Sequence, residues 1–108
     1  MNRETSQYGI ILVTAGSETE ADAIASELVK SKLAACATVF PVRSIYTWQG
    51  EVNRDREVQL LIKTNLDRFP EIAAKIRELH SYEVPEIIAL PIVAGLQPYL
   101  DWIGEQTG

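Results

Sequence analysis

An α+β sandwich, with two helices laid on one face of a four-stranded antiparallel sheet, is the fold class that this 108-residue sequence predicts. Three observations predict it. Four runs rich in β-branched residues are separated by two stretches of helical periodicity, in the order β-α-β-β-α-β with a helical tail. The length suits one domain, commonly ~100–150 residues, and a single domain over residues 1–108 is expected. Hydrophobic residues make up 46% and charged residues 23%, which is enough to bury a core without disulfides.

Tyr8–Ala15, YGIILVTA, is a short β-branched run and reads as a buried first strand. Gly16 follows, and then Ser17 with Glu20 three residues on, a capping-box signature for a helix start. Ala21, Ile24, Ala25, Leu28 and Val29 recur at helical spacing, with Glu18, Asp22, Glu27 and Lys30 off that stripe. This first helix is expected to run to about Lys32. Cys36–Gln49 is rich in β-branched and aromatic residues and long for a strand. Pro41 lacks an N–H, so it must sit at a bulge or on an unpaired edge. Gln49-Gly50 makes a tight turn, with glycine able to take positive φ.

The partner strand runs from Glu51 to Thr64, polar and solvated at first and core over VQLLIKT. Asn65 or Asp67 caps the second helix, Pro70 falls in its first turn, and Ile72, Ala73, Ile76 and Leu79 give its buried stripe. After a turn around Tyr82 to Pro85, EIIALPIV is a continuous apolar run, as expected of a strand covered on both faces or central in the sheet. Gly95 to Pro98 break the chain, and Tyr99, Trp102 and Ile103 lie on one face of a short terminal helix. The whole is a split-βαβ, ferredoxin-like arrangement with a long hairpin. It leaves one sheet face bare, which together with the hairpin argues for an oligomer.

The net charge is −5. Nucleic-acid binding needs a basic footprint, and Arg54 and Arg56 are interleaved with Asp55 and Glu57, a mixed solvated surface. No stretch approaches the ~20 apolar residues of a membrane span, so neither nucleic acid nor membrane is expected as a partner. The single cysteine, Cys36, has no internal disulfide partner and fits a reducing cytoplasm. The first residues, MNRETSQYG, are polar with no apolar signal region among them, and residues 1–6 read as a frayed tail.

Candidate chemistry centres on LHSYEVPEIIALP, which holds the only histidine, His80, with Glu83 and Glu86 behind it. An imidazole and two carboxylates are a divalent-metal donor set, better suited to Cu²⁺ or Zn²⁺ than to Ca²⁺ or Mg²⁺. The competing reading is a helix end, where the imidazole complements the dipole and bonds the last carbonyls. Cys36 is either a soft-metal ligand or a small buried hydrophobe. No Ser-His-Asp spacing, G-x-S-x-G elbow or Walker loop is present, so no enzyme and no required cofactor are expected.

KLAACATVFPVRSIYTWQGEV, EVQLLIKT, HSYEVPEIIALPI and YLDWI occur here in the order and spacing of the CutA family, the divalent-cation tolerance proteins, which the chain resembles from about Tyr8 to Ile103. Some members carry cysteine at the position of Val13 and histidine at that of Leu79. This sequence has neither, which weakens any tight copper site. The resemblance implies a homotrimer, similar in architecture to PII signalling proteins. It further implies an inter-subunit cleft in which Trp48, Glu57, Lys63 and Tyr82, with Glu86, would meet a small anionic effector, Lys63 supplying the charge and Trp48 a stacking surface. Three function classes follow: a weakly metal-binding, cation-responsive trimer, a PII-like sensor, and a scaffold without ligand. The protein partner of such a sensor is not specified by the sequence.

Overall fold

Alternation along the strands decides where the core lies. The computed structural model describes residues 7–108, so the expected frayed tail, residues 1–6, lies outside the described residues. In β1 (Tyr8–Ala15), Ile11, Val13 and Ala15 are buried on one side of the pleat, and in β3 (Glu51–Asn65) Val58, Leu60, Ile62 and Thr64 do the same. The two strands run antiparallel, with Ile11 opposite Ile62 and Val13 opposite Leu60. β2 (Cys36–Trp48) pairs with the other side of β3, and β4 (Ile88–Pro91) with the other side of β1. The sheet order is therefore β2-β3-β1-β4, the antiparallel ferredoxin-like arrangement expected above.

Helices α1 (Glu18–Lys30) and α2 (Phe69–Leu79) cover the buried face. Ala21, Ile24, Ala25 and Leu28 of α1 join Ile72 and Ile76 of α2 and the strand residues in one apolar cluster. A smaller cluster ties α3 (Gln97–Gln106) to the sheet through Ala35, Leu100 and Ile103. Among the described residues no helix is long and apolar enough to cross a membrane.

Several local signals hold. The Glu20 N–H donates to Ser17 Oγ at 3.2 Å, the forward half of the capping box. Gln49 (φ 50°) and Gly50 (φ 79°) are both left-handed, the two-residue turn whose twist matches a hairpin. Pro41 faces Val58 on β2, an edge strand where its missing N–H leaves no gap in the ladder.

Other expectations give way. α1 stops at Lys30, two residues early, because Lys32 takes φ 63° and closes a Schellman motif: Leu33 N–H donates to the Leu28 carbonyl and Lys32 N–H to that of Val29. Asn65 caps a 3₁₀ turn, Leu66–Arg68, rather than α2 itself. Val29 and Leu79 are exposed, and the buried stripe of α3 is Leu100 and Ile103, while Tyr99 and Trp102 stack on each other near the surface.

The largest correction concerns EIIALPIV. Only Ile88–Pro91 is strand, it sits at the sheet edge, and all four residues are exposed. Ile88 and Leu90 are about half exposed, on the face away from the helices that they share with Leu12 and Ile10. An apolar run of this length fixes hydrophobicity and leaves open which surface covers it.

Candidate functional site

The site begins where the hairpin leaves the sheet. β1 pairs with β3 only as far as Val58, so residues 51–57 of β3 have β2 alone beside them. Directly opposed residues of antiparallel strands share a face. Ser44, Tyr46 and Trp48 therefore fall on one face with Asp55 and Glu57, and Arg43 and Ile45 on the other with Arg54 and Arg56. One face of the hairpin is acidic and aromatic, the other basic.

The facing wall is the segment after α2, and His80 sets its position. His80 is 9% exposed and ends the helix, its N–H bonded to the Ile76 carbonyl at 2.8 Å. Its Nδ1 accepts the Tyr82 N–H at 3.0 Å, so that nitrogen carries no proton. The proton is on Nε2, which donates to the Thr14 carbonyl of β1 at 2.7 Å. Both nitrogens of a neutral ring are thus engaged within the chain, and the ring is not the cationic dipole cap that its place at a helix end suggests. Glu20 makes a second tie, its two carboxylate oxygens accepting Gly16 N–H at 3.3 Å and Ser81 N–H at 2.8 Å. Burial works to raise the Glu20 carboxyl, but the hydrogen bonds from Ser81 and Gly16 prevail and hold it below the usual carboxylate range.

Tyr82 makes the third tie. Its hydroxyl donates to Glu57 Oε2 at 2.7 Å, joining the segment to the hairpin. Burial first, and then the bond to Glu57, push this phenol well above its ordinary value. Nearby, the Tyr46 hydroxyl donates to Asp55, and that bond raises the Tyr46 phenol as well. Both tyrosines therefore remain neutral donors at any physiological pH.

Between these walls lies a cavity of about 600 Å³, within the range of small-molecule pockets. Tyr46, Trp48, Glu57, Tyr82, Glu83 and Glu86 line it, with Thr14, Ser44, Ile45 and Val84. Trp48, Glu57, Tyr82 and Glu86 of the expected cleft are brought together. Lys63 is not among the lining residues: it lies six residues along β3 from Glu57, roughly 20 Å at strand rise, and donates to Thr38 Oγ1 at 3.5 Å. Thr14, Ser44, Ile45 and Val84 line the cavity without having been expected there, Tyr46 lines it beside Trp48, whose face it shares, and Asp55 enters only as the hydrogen-bond partner of Tyr46. For Ser44 and Asp55 the signal is parity, since they share a hairpin face with Tyr46, Trp48 and Glu57.

The four metal candidates do not converge in one chain. Cys36 is half-buried opposite Lys63, whereas His80 meets Thr14, whose strand partner is Gln59. Four residues of strand separate those levels, roughly 13 Å. Glu83 and Glu86 are exposed at the cavity. Among the described residues no group of three His, Cys, Asp or Glu side chains is placed to hold a metal ion, so the donor set does not fit a tightly held cation.

A carboxylate held low in the folded state stabilises it most above its unfolded pKa, and that contribution is lost as pH falls through the lower folded value. Glu20→Gln is therefore expected to lower the melting temperature at neutral pH, with the gap to the parent closing as the solution is acidified. A gap that stays constant through the carboxylate range would contradict this assignment.

Comparisons with known proteins agree with the fold. A family model described as CutA1 divalent ion tolerance protein matches residues 9–106. The chain is 49% identical over 100 residues to the divalent-cation tolerance protein CutA of Thermus thermophilus, covering 92% of this chain and 97% of that protein. A solved structure described as the periplasmic divalent cation tolerance protein CutA from Archaeoglobus fulgidus superposes with a TM-score of 0.92 at 39% identity, over 94% of this chain and 99% of that one. A solved structure of the divalent cation tolerance protein from Thermus thermophilus gives 0.91 at 48% identity, over 94% and 99%.

Proposed function

The chain belongs to the CutA1 family of divalent ion tolerance proteins, and on that premise we propose that it acts in divalent-cation tolerance as a homotrimer of single-domain subunits, binding metal weakly and catalysing no reaction. The relatives are named for tolerance and not for a reaction, which supports the role. One observation carries the trimer: the sheet face away from the helices is apolar and uncovered. Phe40, Ile88 and Leu90 are exposed on it, and Ile45, Trp48 and Val52 are exposed on the projecting hairpin. Exposed apolar side chains on one sheet face and on a projecting hairpin suit burial against further copies.

Weak metal binding follows from the donors. Glu83 and Glu86 are accessible, and His80 joins them only by giving up one of its two ring hydrogen bonds, to Thr14 or to Tyr82. Cu²⁺ or Zn²⁺ should be preferred, with affinity on the order of micromolar or poorer. The lone cysteine supports a reducing cytoplasm. A PII-like sensor is the second reading, favoured by the cavity that Trp48, Glu57, Tyr82 and Glu86 share.

Calorimetric titration with Cu²⁺ and Zn²⁺ tests the metal reading. Weak binding that is lost in the Glu83→Gln/Glu86→Gln double variant is the expected result. A nanomolar site indifferent to both changes would overturn it and turn attention to Cys36.

A further inference from the structure

We propose that copies of this chain join head to tail, the basic face of one hairpin seating on the outer surface of α3 in the next copy. This rests on the homotrimer proposed above and assigns the contact that builds it. On that hairpin face Arg43 lies directly opposite Arg56, Ile45 opposite Arg54, and Thr47 opposite Val52. All six are exposed. Like charges directly opposed across strands repel, and among the described residues none of the three arginines forms an ion pair. Ile45 and Val52 stand beside them, 65% and 61% exposed. A phosphate-rich ligand would leave that apolar pair unmatched. A protein surface that is both acidic and apolar meets the whole face.

Such a surface lies at the other end of the molecule. From Ser81 to Gly108 the sequence holds no lysine or arginine. α3 turns Leu100 and Ile103 inward and leaves Tyr99, Asp101, Trp102 and Glu105 exposed, with Leu96 exposed at its N-cap. Residues three and four apart are neighbours on a helix, so Glu105 borders both Asp101 and Trp102. Tyr99 packs against the Trp102 ring with 5.4 Å between centroids. A guanidinium suits this mixture, since it pairs with carboxylates and lies flat on aromatic faces. Ile45 and Val52 have Leu96 to cover.

A chain cannot make this contact with itself. α3 packs on Ala35, whose N–H donates to the Lys63 carbonyl at 2.9 Å. Arg54 lies nine residues along β3 from Lys63, roughly 30 Å at strand rise. The two halves therefore meet only between copies, and the contact is heterologous: each copy gives its hairpin to one neighbour and receives another's on α3. Contacts of this kind close into a ring when the rotation per copy allows.

Arg54→Lys with Arg56→Lys keeps the charge and supplies amines that a carbodiimide joins, without a spacer, to carboxylates they touch. After coupling and digestion, mass spectrometry of the covalent oligomer should find peptides joining position 54 or 56 to Asp101 or Glu105. Charge reversal tests the same contact through assembly. Arg54→Glu/Arg56→Glu and Asp101→Lys/Glu105→Lys should each raise the concentration at which subunits separate by about tenfold or more, and the chain carrying all four changes should return to within about threefold of the parent. All four positions are exposed, and circular dichroism checks that the fold is kept. A trimer whose links from 54 and 56 reach only other carboxylates, or whose reversal variants associate like the parent, would overturn the contact and leave the homotrimer standing. A four-change chain no tighter than either pair would do the same. A parent at the subunit mass would overturn the homotrimer, and this contact with it.

Discussion

Leu60→Ala is expected to cost about 2–5 kcal/mol of folding stability, as Leu→Ala changes in packed cores do. Leu60 lies on β3, an inner strand, with Val13 opposite it on β1 and Val39 on β2. It is fully buried and belongs to the cluster that joins both sheet-covering helices. Interiors are close-packed, so the lost methyl groups leave a cavity that the neighbouring strands cannot close without breaking register. Denaturant unfolding at one fixed protein concentration measures the cost, because any association would add its own concentration dependence. A loss below about 1 kcal/mol would show that the sheet–helix layer is loosely packed.

The second large effect lies on the opposite face. Ile88→Asp with Leu90→Asp places two carboxylates on the edge strand, where both parent side chains are about half exposed. In a lone chain such surface changes are worth at most about half a kcal/mol each. Buried between subunits, each unpaired charge costs several kcal/mol, enough to separate an assembly at micromolar concentration. The double variant is therefore expected to lose association while keeping its secondary structure by circular dichroism. Retained association would move the interface elsewhere on the surface.

Much of the fold could be read before any coordinates. The pleat of β1 and β3, the Ser17–Glu20 capping box and the Gln49-Gly50 turn depend on residues close in sequence, and local rules reach them. EIIALPIV misled because hydropathy records how apolar a run is and not what covers it. Lys32 misled because a lysine in left-handed conformation carries no mark in the sequence that a glycine would.

The candidate site was half legible. Trp48, Tyr46 and Glu57 could be placed by pairing outward from the turn, and the same count would have added Ser44 and Asp55 to their face. It would also have separated Lys63 from Glu57, since strand rise alone fixes that distance. His80 could not be resolved this way. Its ring partner, the Thr14 carbonyl, lies 66 residues away, and only the folded chain shows that both nitrogens are engaged. The resemblance to a family supplied the idea of a cleft, and the pleat of the hairpin decides which of this chain's side chains can face it.

Light scattering across a size-exclusion peak at micromolar concentration tests the homotrimer most directly. The result expected is a single species of three times the 12.0 kDa subunit, unchanged on moderate dilution. A peak at the subunit mass under the same conditions would contradict it, because the apolar outer face and the projecting hairpin would then stand uncovered in water.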